Sequence, residues 1–210
     1  MDNPAIVNTK RIALIAVMSA LAIVVAYSRG LAASSLPGVF EFMTVLIFIA
    51  GFCFGAGVGV SVGVISLTIY MLVPYPLAHP AAWLYTTSPL LLVVMATIGG
   101  AFGAAGAFAS RILKPASWGR LSLALAAMGF ALTLFYDLAS SAGFAVAYGF
   151  PLIESLYLTF VPLYYAWPPI IHTVTNTVIF AVVAPPVIQG IQRLPEILNS
   201  HEAKQKAATA

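Results

Sequence analysis

Apolar residues fill most of the chain and are interrupted at intervals by short clusters of Pro, Gly, Ser and charged residues. The pattern predicts six helices, at about residues 12–27, 39–54, 58–73, 89–108, 121–147 and 167–189. A hydrocarbon core about 30 Å thick takes about 20 helical residues, with tilt or local thinning absorbing the mismatch. The first three stretches are short for a span and the fifth is long. Small residues recur at helical contact spacing, Gly51, Gly55, Gly59 and Gly63, then Gly99 and Gly103. Small residues four apart let helices approach closely in lipid. A turn expected at Gly55-Ala56-Gly57 divides the first run, so it cannot form one continuous face.

Composition turns this pattern into a fold class. The 210 residues are 61% hydrophobic and 7% charged, against roughly 25% charged in an ordinary soluble domain, and the mean hydropathy is +1.01. The expectation is an all-α membrane protein, a six-transmembrane-helix bundle forming a single integral-membrane domain over residues 1–210.

Charge then orients it. Nine Lys and Arg face six Asp and Glu, but no basic stripe interleaved with aromatics appears, so nucleic acid is not an expected partner. With six spans, Lys10, Arg11, Arg111, Lys114, Arg120, Arg193, Lys204 and Lys206 fall on one side and Arg29 alone on the other. The positive-inside rule makes the first side cytoplasmic. Both termini are therefore expected in the cytoplasm, in a multi-pass protein of the cell membrane. Lys10-Arg11, the apolar run and "GLAASS" also have the form of a signal peptide, although the expectation is that a multi-spanning chain keeps this helix.

Candidate chemistry is sparse. Cys53 stands alone in an apolar run and reads as a small buried hydrophobe. The sequence contains no G-x-x-x-x-G-K-[ST], HExxH or Cys–His cluster, so no P-loop, metal site or cofactor is expected of this chain. The outer segments "VPYPLAHPAAWLYTTSP" (73–89) and "YGFPLIESLYLTFVPLYYAWPP" (148–169) are aromatic, Pro-rich and almost uncharged. They read either as interfacial packing or as lids over a cavity.

Ionisable groups inside spans are costly and so carry functional hypotheses. Asp137 lies about 24 Å up the fifth span from Leu121. The stretch "PPIIHTVTNTVIFAVVAPP" (168–186) holds His172 and, one turn deeper on the same face, Asn176. Asp137 and His172 reach similar depths in the outer third. Two readings follow: an interhelical pair that staples the bundle, or a polar pocket open to the outside. Glu41, just inside the second span, either joins that pocket or faces the interface. His79 and Trp83, between the third and fourth spans, are candidates to cap it, and Glu154 reads as solvated.

These residues carry a resemblance. The basic N-terminus into "RIALIAVMSALAIVVAY", the stretch "LPGVFEFMTVLIFIAGFCFGAGVGVSVGVIS", and "MGFALTLFYDLASS" with "HTVTNTVIFAVVAPPVIQGIQR" resemble the substrate-binding S component of energy-coupling factor (ECF) vitamin transporters. The family's Ala-x-x-x-Ala signature is matched by Ala16 and Ala20. The resemblance implies a six-helix bundle that binds a vitamin or precursor near the outer face, with helices four to six and the outer loops forming the site. It implies a separate T component, onto which the first helix docks, and two ATPase subunits. The pattern looks most like the subgroups assigned to cobalamin or to thiamine-precursor pyrimidines.

Two other classes compete. A self-sufficient secondary transporter would show an inverted repeat and more titratable groups. An intramembrane enzyme could use Asp137 and His172 as an acid–base pair, but no metal cluster motif accompanies them. The expectation is a binding subunit, not an enzyme.

Overall fold

The computed structural model describes residues 4–32, 41–72, 88–113, 117–160 and 169–194, and the regular structure among them is entirely helical. The helices are α1 (Pro4–Ala32), α2 (Phe42–Phe54), α3 (Ala56–Leu72), α4 (Pro89–Ile112), α5 (Trp118–Tyr148), α6 (Leu152–Phe160) and α7 (Pro169–Val182). A last helical segment, α8, covers 184–194. Four stretches are long and apolar enough to cross a membrane: Thr9–Ser28, Pro89–Ile112, Trp118–Tyr148 and Ile171–Leu194. The apolar helices α2 and α3 are shorter, at 13 and 17 residues.

Three features depart from the hydropathy pattern. First, several helices outrun their apolar stretch: α1 begins at Pro4, α4 continues to Ile112 and α5 begins at Trp118. Hydropathy marks where lipid is met, whereas backbone hydrogen bonding continues into polar residues. Second, the sixth predicted span is interrupted at Val183. Pro185 and Pro186 have no N–H to offer the carbonyls of Ala181 and Val182. The chain crosses the break on a 2.8 Å bond from the Val183 N–H to the Ile179 carbonyl and a long 3.4 Å one from Val187 to Val183. Third, the aromatic segment expected as a loop contains α6. Gly149, at φ 70°, takes the left-handed conformation that ends α5. The Pro151 carbonyl then accepts from the N–H groups of Glu154 and Ser155 and starts the new helix.

Contacts fix the relative directions. Gly59 and Gly63 of α3 meet Gly103 and Gly99 of α4. Tyr136 of α5 meets Phe102 of α4 and Gly143 meets Val94, while Gly129 and Asp137 of α5 meet Phe180 and His172 of α7. All three pairs are antiparallel. Helices α1 and α3 are parallel, through Arg11 with Gly57 and Tyr27 with Tyr70. So are α2 and α7, through Glu41 with Asn176 and Phe48 with Phe180. Arg11, Arg111, Arg120 and Arg193 therefore gather at one end of the bundle.

Glycine sets the spacing of α2, α3 and α4. A Cβ on Gly63 would run into the Gly99 carbonyl and one on Gly99 into that of Gly63; Gly51 and Gly59 meet Gly103 in the same way. Lipid tails are as apolar as leucine, so in the membrane close packing rather than water exclusion draws helices together. Gly55, at φ 89°, makes the reversal between α2 and α3 in one residue where three were expected.

Candidate functional site

Along α5 the buried residues other than Gly143 fall on a single ridge: Leu121, Leu125, Gly129, Thr133, Asp137, Ser141 and Ala145, each four after the last. The ridge changes character partway. At Gly129 the missing side chain admits the ring of Phe180, which meets Phe48 edge-on at a centroid distance of 5.2 Å. One turn further the ridge becomes polar, and it meets the polar half of α7.

Asp137 is 6% exposed, and its Oδ1 lies 3.1 Å from Nδ1 of His172. The Thr173 hydroxyl approaches Oδ2 at 3.5 Å. Asn176, 1% exposed, lies one turn deeper on α7. Its Nδ2 is 3.0 Å from Nε2 of His172 and 3.4 Å from Oγ1 of Thr133. Its Oδ1 accepts the backbone N–H of Glu41 at 3.1 Å, which ties the start of α2 to α7. Ser140 and Ser141 donate back to the Asp137 carbonyl at 3.2 and 2.7 Å. Edge-on to the imidazole at 6.0 Å sits Tyr136, itself edge-on to Phe102 at 6.5 Å.

The bonds determine which nitrogen carries the proton. A backbone N–H only donates, so the atom of Asn176 facing Glu41 is its oxygen. The amide NH2 consequently faces Nε2 of His172, which must accept. The proton is then on Nδ1, donated to Asp137.

The expected residues are thus partly united. Asp137, His172 and Asn176 form one network, and Glu41 joins it through its main chain. His79 and Trp83 lie outside the described residues. Glu154 is exposed on α6, as expected of a solvated residue. Helix α6 is fixed beside the network by a 2.8 Å bond from the Ser155 hydroxyl to the Ser141 carbonyl. Thr133 and Thr173 were missed. Both were within reach of sequence reasoning, Thr133 being one turn before Asp137 on the same face and Thr173 adjoining His172.

Ala16 and Ala20 lie elsewhere, exposed on α1. With Ile12 of α1 and Ile65 and Ile69 of α3 they line an apolar groove of about 380 Å³. Ser19 also lines it, 4% exposed, and its hydroxyl has no hydrogen-bond partner among the described residues.

A family model described as "ECF transporter, substrate-specific component" matches residues 10–191. No curated protein and no solved structure gives a match.

Proposed function

The chain belongs to the family of substrate-specific components of ECF transporters, and from that premise we propose that it captures a vitamin or vitamin precursor at the outer face of the cell membrane for ATP-driven uptake. The family is one of transporter subunits, not of enzymes. Cobalamin-type or thiamine-precursor ligands are the substrates we favour. The ligand site is assigned to Asp137, His172 and Asn176, with Glu41 at its edge and His79 and Trp83 as capping residues. One observation carries this assignment: a buried carboxylate, a partly buried imidazole and a buried carboxamide sit bonded in series in a chain with only 7% charged residues. Intramembrane polar groups of this kind are expensive, and threonine or serine alone would staple helices.

Calorimetric titration of stability-matched protein tests the site. Alanine at Asp137, His172 or Asn176 is expected to weaken ligand binding by about 1–3 kcal/mol, about 5- to 150-fold. Unchanged affinity per folded molecule, with lowered thermal stability, would reduce the three to a structural staple. Native mass spectrometry of the purified chain would identify the ligand it carries.

The proposed topology has six spans, α2 and α3 included, and the arginine-bearing end in the cytoplasm. With Cys53 replaced, a cysteine at Glu154 is expected to react with an impermeant thiol reagent in intact cells, and one at Ser117 to be silent. The reverse labelling overturns the orientation. The exposed Ala16–Ala20 face is proposed to dock on the T component, which together with two ATPase subunits would supply the energy this chain has no P-loop to harvest. The open groove beside these alanines supports that role, because bare methyl groups let another helix pack close.

A further inference from the structure

We propose that the α5–α7 site selects a ligand carrying a positive charge on an N–H-bearing group, such as an amidinium or a protonated amino-heterocycle, over neutral and anionic molecules of the same shape. The inference rests on the assignment of Asp137, His172 and Asn176 as the ligand site and adds its charge preference.

The argument begins at the Glu41 main chain. Its N–H holds the Asn176 oxygen, so the Asn176 NH2 is turned to Nε2 of His172. Protonating that nitrogen would set N–H against NH2 at a 3.0 Å separation. Relief would require Asn176 to rotate, which strips the buried Glu41 N–H of its acceptor. The arrangement therefore leaves Nε2 as the acceptor and Nδ1 as the donor. His172 can orient Asp137 by donating to it, but it does not neutralise the carboxylate.

Among the described residues nothing else does so. The other donor to Asp137 is the neutral hydroxyl of Thr173, at the 3.5 Å limit of a hydrogen bond. A carboxylate offers about four acceptor positions, and among the described residues this one receives one good bond and one weak one. No lysine or arginine contacts it among the described residues; Arg11, Arg111, Arg120 and Arg193 sit toward the opposite end, and the side chain of Arg29, expected on the same side as Asp137, is not among those described. A carboxylate 6% exposed with neutral donors alone is electrostatically incomplete, since buried charge calls for opposite charge. A cationic N–H fork supplies both the charge and the two donors. Tyr136 and Phe102 add aromatic edges to this neighbourhood.

Three probes of nearly one shape separate charge from fit: benzamidinium, benzamide and benzoate. They are titrated against the purified full-length chain in nanodiscs after removal of any co-purified ligand, with binding read by saturation-transfer NMR and thermal shift. Benzamidinium is expected to bind at least tenfold more tightly than benzamide, with benzoate weakest. The isosteric Asp137→Asn variant should erase the ranking. If that variant fails to fold, the ranking on the wild-type chain still decides. Benzamide or benzoate binding as tightly as benzamidinium overturns the charge preference, and the site itself survives if Asp137→Asn weakens all three probes. Probe binding indifferent to Asp137→Asn in folded protein overturns both the preference and the site. Failure of all three probes to bind the wild-type chain also overturns the proposal.

Discussion

The seam between α3 and α4 and the seam between α5 and α7 are both antiparallel helix pairs, but they are built from opposite materials. In the first, Gly63 and Gly99 bring two backbones together with no side chain between them. In the second, Asp137, His172, Thr173, Thr133 and Asn176 hold the helices through side chains. Backbone-on-backbone packing has one solution, because a carbonyl has nowhere to go. Side-chain hydrogen bonds can be exchanged for bonds to an incoming molecule at little net cost, since one bond replaces another. The bundle thus sets a backbone-packed layer beside a side-chain-bonded one, and the proposed ligand site belongs to the second.

The comparison breaks most visibly at the glycines. Gly63→Ala is expected to destabilise at or above the upper end of about 1–3 kcal/mol, because the added methyl meets backbone rather than a movable side chain. Thermal unfolding in detergent reads this, and an unchanged melting temperature would mean that no backbone contact is made at Gly63. A Gly99→Leu chain is not expected to yield monodisperse protein.

Next in size is Asn176→Leu, which removes the acceptor of the Glu41 N–H and the donor to His172 Nε2 together. The expected loss of stability is about 1–3 kcal/mol, and bound ligand should restore less of it than in the wild type. Full restoration by ligand would show that α2 and α7 are not coupled through this amide.

A smaller effect is expected of Ser155→Ala, about 0.5–1.5 kcal/mol, since the Ser141 carbonyl retains its intrahelical bond. Hydrogen exchange should quicken in α6 and stay unchanged at the α3–α4 seam; equal acceleration in both would erase the distinction between the layers.

Least affected in stability is the double substitution of Leu for Ala16 and Ala20. These exposed positions should tolerate it within about 0.5 kcal/mol. Co-purification with the T component should nonetheless be lost. A fall in stability comparable to Gly63→Ala would place the alanine face inside the bundle.

Local chemistry by itself determined a good deal. Hydropathy requires an apolar helical protein, because in hydrocarbon a helix satisfies its own backbone. The spacing of Asp137, His172 and Asn176, read as depth along two spans, foretold a shared polar level, and the structure joins them at 3.1 and 3.0 Å. What the sequence could not display is any relation that depends on two distant stretches meeting. The Glu41 N–H and Asn176 are 135 residues apart, and a main-chain donor leaves no mark in residue type. The glycine spacing announced close packing, yet only the assembled bundle shows Gly63 against Gly99 and Gly51 against Gly103. The outward face of Ala16 and Ala20 was equally undecided, since alanine suits a buried helix contact and an open groove alike. Helix α6 escaped notice because nine residues of mixed aromatic and polar character carry too few turns to show a period, and its Ser155 bond to Ser141 is tertiary. Periodicity records what each helix offers to its surroundings, and the fold alone decides which surroundings it receives.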